Sequence, residues 1–200
     1  MFQKLYSDRF DLAICYNDID PTKLPKGVQA LNKAEQPNNL KFLPQGKLPA
    51  WKLVPPRLDL NRHEIIMDND VLLFKPLEEI EEFLAGNKFL TTEAYRRSYS
   101  IDYDALIRQD FNINVGIIGM PPGFDMEAAI NEKLQRGWSE FFDDQSIVAA
   151  ILQDQDTIVV SKQKIVVAFG DTFYAKGTHG VHLVGLNSGE TRHWKKLFTF

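Results

Sequence analysis

Two aspartates, Asp68 and Asp70, stand one residue apart between the apolar runs Ile65-Ile66-Met67 and Val71-Leu72-Leu73-Phe74. In extended chain, residues i and i+2 project to the same side, so both carboxylates would face one point. Two anions that close repel each other and need a positive partner. A hard divalent cation meets that need with oxygen ligands, and Mg²⁺ or Mn²⁺ prefers carboxylates together with phosphate oxygens. An Asp-x-Asp alone is a weak signal, since exposed aspartates are common where strands end. Its place between two apolar runs strengthens it, because incidental solvation does not explain charges there. His182, at the end of an apolar run and before Gly185, is a third ligand candidate. Neutral imidazole suits Mn²⁺ better than Mg²⁺. On its own His182 would read as a satisfied, partly buried histidine, so its case rests on the combination.

Such a site needs a frame. Short apolar runs at Asp11–Tyr16, Leu40–Leu43, Glu64–Met67, Lys88–Glu93, Ile113–Pro121, Asp156–Ser161, Lys164–Phe169 and Gly180–Gly185 read as strands. Lys75–Gly86 reads as a helix, with Pro76 in its first turn, an apolar stripe of Leu77, Ile80, Phe83 and Leu84, and Gly86 at its end. Its glutamates read as a solvated face near a helix N-terminus. Asp125–Gly137 reads as a helix capped by Asp125, and Ser188–Phe198 as one capped by Ser188. A buried helix is expected to begin at Asp143 or Asp144, and a short one within Pro49–Leu58, broken by Pro55-Pro56. Strands and helices interleave, which gives an α/β class with a mostly parallel or mixed sheet. Ligands of such sheets bind at the carboxyl ends of strands.

Composition narrows the function classes. The chain has 200 residues, 44% of them hydrophobic, which suits one domain over residues 1–200 with a substantial core. A net charge of −4 gives no general attraction to nucleic acid or anionic membrane. No apolar stretch approaches the roughly 20 residues that span a bilayer, and the first residues are polar. A cytoplasmic location is the resulting expectation. The single cysteine, Cys15, excludes an intrachain disulfide and reads as a small core residue. Tyr95-Arg96-Arg97 reads as a solvated turn, and Trp138, Phe141 and Phe142 as core.

In order along the chain, the hydrophobic strand with "DND", the "PLEEI" helix, "NVGIIGM", "FFDDQSIVAAI" and "HLVGLNSGETRHW" resemble the metal-dependent nucleotide-sugar glycosyltransferases of the GT-A fold. The order is most similar to glycosyltransferase family 8 and its bacterial and viral relatives. The resemblance implies a GT-A-like sheet flanked by helices and lacking the family's first strand, an N-terminally abridged domain. It implies that Asp68, Asp70 and His182 bind Mn²⁺ (or Mg²⁺) and, through it, the diphosphate of a UDP-linked sugar. Lys52 stands where the family has a cationic residue facing the donor. Asn114 and Gly116 resemble the Asn-x-Gly beside the donor sugar. Asp144 and Gln145 resemble the pair next to the reacting carbon, although Asp143 and Asp144 read equally well as a helix cap. Gly185 and Arg192 resemble the segment that closes over the phosphates. The implied activity is hexosyl transfer with retention to a saccharide, lipid or protein acceptor. A homo-oligomer stays open.

Two other classes compete. An abridged domain could bind metal and nucleotide-sugar without turnover. A haloacid-dehalogenase-type phosphatase also uses hydrophobic-Asp-x-Asp. That motif normally carries Thr or Val where Leu72 stands here, and its later Gly-Asp element lacks the further acid, Ala175 standing in that place.

Overall fold

The structure, a computed structural model, describes residues 5–6, 9–16, 20–36, 40, 52–134, 143–168 and 178–184. Its nine strands are β1 (Ala13–Tyr16), β2 (Gln29–Asn32), β3 (Glu64–Met67), β4 (Val71–Leu73), β5 (Phe89–Glu93), β6 (Ile113–Met120), β7 (Thr157–Val160), β8 (Ile165–Ala168) and β9 (Gly180–Leu183). Its helices are α1 (Glu78–Ala85), α2 (Ile101–Asp104), α3 (Met126–Lys133) and α4 (Asp143–Leu152).

The strands form three sheets, in the orders β3-β6-β5-β7, β4-β9-β8 and β1-β2. They are mixed: β1-β2, β5-β7 and β8-β9 run parallel, and β3-β6, β5-β6 and β4-β9 antiparallel. The larger sheet is covered on both faces, so its central strand reads as one apolar run rather than an alternation. Ile113, Val115, Ile118 and Met120 of β6 pack with α3 and α4 residues such as Met126, Ile130, Ile147 and Leu152. On the other face Ile117 joins Ile80 and Phe83 of α1 and Val71 and Leu73 of β4. The last six residues of α4, Ile147 to Leu152, are all apolar and all buried, as a helix end apolar on every side requires.

Helix α1 buries the expected stripe, with Leu77, Ile80 and Phe83 inaccessible. Leu77 supplies no side-chain cap; its N–H donates to the Tyr6 hydroxyl at 2.7 Å. Glu78 and Glu79 of the first turn pair with Lys164, tying the helix to the loop before β8. Asp125 caps α3 through the Ala128 N–H at 2.9 Å, but the helix ends at Lys133, short of the expected Gly137. Within Pro49–Leu58 only Lys52 and Leu53 turn helically among the described residues before the prolines intervene. Cys15 is exposed, contrary to expectation, because β1 lies in a two-stranded sheet outside the central one. Arg97 is no solvated turn residue either. It pairs with Asp104 and donates to the carbonyls of Asp104, Ile107, Arg108 and Phe111, stapling the loop around α2. Trp138, Phe141, Phe142, Leu40–Leu43 beyond Leu40, and Ser188–Phe198 lie outside the described residues.

Between its two flanking strands β6 behaves unequally. Its pairing with β3 is regular, Glu64↔Met120 to Met67↔Ile117. Its pairing with β5 jumps from Leu90↔Gly119 to Thr92↔Asn114, so Thr91 alone opposes Val115 to Ile118. Such bulges re-aim side chains and recur beside functional sites. The Asn114 carbonyl at the irregularity accepts from the hydroxyls of Thr91 and Thr92, at 3.1 and 2.8 Å. At its other end Gly119 admits Leu90 and Phe83: a Cβ there would stand 2.6 Å from Leu90 Cβ and 3.1 Å from the Phe83 ring. Gly119→Ala is expected to destabilise the fold by about 1–3 kcal/mol. That is about 2–12 °C in thermal midpoint for a chain of this length, read by circular dichroism.

Candidate functional site

Asp68 and Asp70 do not lie in extended chain. β3 ends at Met67, and a turn follows in which the Val71 N–H donates to the Asp68 carbonyl at 3.1 Å. Neighbouring strands fix both ends of this turn. The Asp68 N–H donates to the Gly116 carbonyl at 2.9 Å, and the Leu183 N–H to the Asp70 carbonyl at 2.9 Å. His182 lies on β9 opposite Val71 of β4. Turn and strand together bring one ligand atom each from Asp68, Asp70 and His182 within 4.8 Å of one another. His182 Nε2 is 3.2 Å from Asp70 Oδ1 and 3.7 Å from Asp68 Oδ2.

Lys52 lies across this group. Its ammonium is 3.2 and 3.3 Å from the two oxygens of Asp68, 3.0 Å from Asp144 Oδ2 and 3.2 Å from the Val115 carbonyl. Burial alone would lower its pKa, but the carboxylates of Asp144 and Asp68 outweigh that and raise it. The Asp68 carboxyl is also pushed up: burial, with the like charge of Asp70, outweighs the pull of Lys52 and His182. The two shifts agree once sharing is considered. Lys52 has two carboxylates to itself, whereas Asp68 has half a lysine and a second aspartate beside it.

Asp144 and Gln145 enter from the first turn of α4. Asp144 is 5% exposed and ion-paired, so it is more than a solvated helix cap. Gln145 Nε2 donates to the Ser98 carbonyl at 2.9 Å, and Asn114 Nδ2 lies 3.4 Å from Gln145 Oε1. Asn114 Oδ1 is 2.9 Å from both the Gly116 N–H and His182 Nδ1. Gly116 lies under the imidazole: a Cβ there would stand 2.6 Å from His182 Nδ1 and Cε1.

The fold is of the GT-A type. It is shared with the crystal structure of the galactosyltransferase LgtC in complex with donor and acceptor sugar analogues, at 12% identity and a TM-score of 0.52, over 80% of this chain and 68% of that one. An active-site mutant of LgtC matches over the same shares at 13% identity and a TM-score of 0.50. At such identities the likeness is one of fold. No family model matches the chain, and no curated protein does.

The residues present fit a divalent cation. Asp68 and Asp144 contact the ammonium of Lys52, while Asp70 faces His182 Nε2 at 3.2 Å. Asp70 Oδ1 is buried and has no hydrogen-bond partner among the described residues. A buried carboxylate oxygen left so is costly unless an ion or water meets it. Two carboxylates and one imidazole form a donor set for a divalent cation.

The structure thus gathers eight candidates, Lys52, Asp68, Asp70, Asn114, Gly116, Asp144, Gln145 and His182, into one locality. Gly185 and Arg192 lie outside the described residues. Sequence reading missed the backbone carbonyls of Ser98 and Val115, which carry no side-chain signal, and the paired hydroxyls of Thr91 and Thr92.

Mn²⁺ at about a hundred times its dissociation constant is expected to stabilise the protein by about 2.7 kcal/mol. That amounts to about 5–11 °C by differential scanning fluorimetry. Asp70→Asn should abolish the rise, and so should Gly116→Ala, by displacing the imidazole. The raised pKa of Asp68 sets a pH dependence. Without metal, the folded state holds this proton more tightly than the unfolded chain. Its contribution to stability is therefore full below the unfolded value and lost as pH rises through the folded one. Protons compete with a cation over the same range. Calorimetric Mn²⁺ affinity should fall on acidification at a higher pH than an ordinary aspartate would give.

Proposed function

We propose that the protein is a metal-dependent glycosyltransferase of the family 8 type, moving a hexosyl group from a UDP-linked donor to a saccharide, lipid or protein acceptor with retention. The observation that carries this reading is the convergence, on a GT-A fold, of the Asp68–Asp70–His182 group with the Lys52–Asp144–Gln145 group. The likeness in fold to LgtC, a galactosyltransferase crystallised with donor and acceptor sugar analogues, supports the same class.

Asp68, Asp70 and His182 would hold the cation, Mn²⁺ by its imidazole ligand or Mg²⁺ by its carboxylates. When bound, it neutralises charge that builds on the leaving diphosphate as the sugar–phosphate bond breaks. The chain's own residues supply the rest. Lys52 keeps its proton and adds positive potential at the same edge. As the anomeric carbon gains oxocarbenium character, the carboxylate of Asp144 and the amide oxygen of Gln145 favour it electrostatically. Asn114 and Gly116 border the sugar, and Gly185 and Arg192 belong to the segment assigned to the diphosphate. Asp68 meets Lys52 through both oxygens, which suits an anchoring ligand better than the free nucleophile that a phosphatase needs.

Calorimetric titration with UDP tests the reading. Binding should require Mn²⁺ and be lost in Asp70→Ala. Donor hydrolysis or transfer by the wild type should fall about 10²–10³-fold in Asp144→Asn while Mn²⁺-dependent UDP binding persists. Mn²⁺-dependent UDP binding with no turnover of any UDP-sugar would select a non-catalytic binding domain. Phosphomonoester hydrolysis through a phosphorylated Asp68 would select the phosphatase.

A further inference from the structure

The side-chain amide of Asn114 has its orientation dictated by what surrounds it. The Gly116 N–H lies 2.9 Å from Oδ1, and a backbone N–H only donates, so the atom it meets is the carbonyl oxygen. His182 Nδ1 lies 2.9 Å from that same oxygen. The oxygen has no hydrogen to give, so Nδ1 must carry one. The far side agrees. Gln145 Nε2 is 2.9 Å from the Ser98 carbonyl, which only accepts, and this leaves Gln145 Oε1 facing Asn114 Nδ2. Turning over the Asn114 amide sets donor against donor at Gly116. Turning over the Gln145 amide sets acceptor against acceptor at Ser98. One arrangement satisfies every contact.

We infer that Asn114 is a positioning residue that holds neutral His182 as the Nδ1–H tautomer, with the unprotonated Nε2 facing Asp68 and Asp70. A ring nitrogen ligates a metal only through its lone pair, and the partner of the other nitrogen decides which lone pair is free. Asp70 Oδ1, 3.2 Å from Nε2 and with no hydrogen-bond partner among the described residues, would favour the opposite tautomer, with Nε2–H donating to it. That hydrogen bond would block the lone pair. Asn114 wins the competition because Gly116 anchors its oxygen and Gln145 its nitrogen. Gly116 acts twice: its N–H orients the amide, and its missing Cβ admits the ring. This task differs from the contact with a donor sugar that the family resemblance implies for Asn114. Its consequence for metal affinity rests on the proposed cation site; the tautomer itself does not.

Two-bond ¹H–¹⁵N correlation spectra of the metal-free protein at alkaline pH test the inference, with the His182 signals assigned by their absence in His182→Gln. The wild type should show a protonated Nδ1 and a pyridine-like Nε2. Asn114→Ala should shift the ring toward Nε2–H, and Asn114→Asp, which keeps an acceptor oxygen, should retain Nδ1–H. Calorimetric Mn²⁺ affinity should drop about 10–100-fold in Asn114→Ala and be restored in Asn114→Asp. An Nε2–H wild type overturns the inference without any variant needing to fold, and an unchanged tautomer in Asn114→Ala overturns it too. A wild type that shows Nδ1–H but takes up no Mn²⁺ supports the tautomer assignment and tells against the cation site alone.

Discussion

An uneven charge balance governs the end of β3. Asp68 and Asp144 share the ammonium of Lys52 and Asp70 stands against His182, in a place where Lys52, Asp144 and His182 are all largely out of solvent. Charges taken out of water are tolerated when paired and hydrogen-bonded, and costly otherwise. Lys52 settles most of the account for Asp68 and Asp144 but none of it for Asp70. The raised pKa of Asp68 is the local sign of that shortage.

The backbone bears the cost of this arrangement in one strand. β6 pairs with β3 on one side by a regular ladder and with β5 on the other across a bulge. The bulge puts Asn114, Val115 and Gly116 to three different uses: an oriented amide, a carbonyl acceptor for Lys52, and open space for His182. Threonines 91 and 92 close the gap by donating to the carbonyl that the bulge frees. The rest of the strand is buried apolar chain held between α1 on one face and α3 and α4 on the other. A rigid, doubly covered strand is what allows small irregularities to be reproducible in position.

Much of this was legible in the sequence, for a physical reason. Paired carboxylates between apolar runs, a histidine ending an apolar strand and an amphipathic Leu77–Leu84 stripe are side-chain patterns, and pattern is what a sequence displays. The helix end at Lys133, the exposure of Cys15 and the role of Arg97 were not legible. The last two depend on what lies across from the residue: a two-stranded sheet for Cys15, and four carbonyls around α2 for Arg97. The turn at Asp68–Val71 belongs to the same class. The spacing of the pair was read through extended geometry, yet the pair converges because two neighbouring strands pin a turn.

Lys52 shows how the geometry refines a role as well as placing it. An ammonium has three N–H donors. Here it meets three acceptor groups, Asp68, Asp144 and the Val115 carbonyl. Direct contact with a donor phosphate would require surrendering one of them, two of which are charged. As placed, its charge acts on the site through its field. An arginine would do this less well: its planar fork suits bidentate recognition, whereas the acceptors here surround a point. The same reasoning explains why the lysine comes from a short helical turn at Lys52–Leu53, with Leu53 and Val54 buried beside it. Their burial fixes the stem of the side chain, and the fixed stem keeps one positive charge between Asp68 and the aspartate of α4.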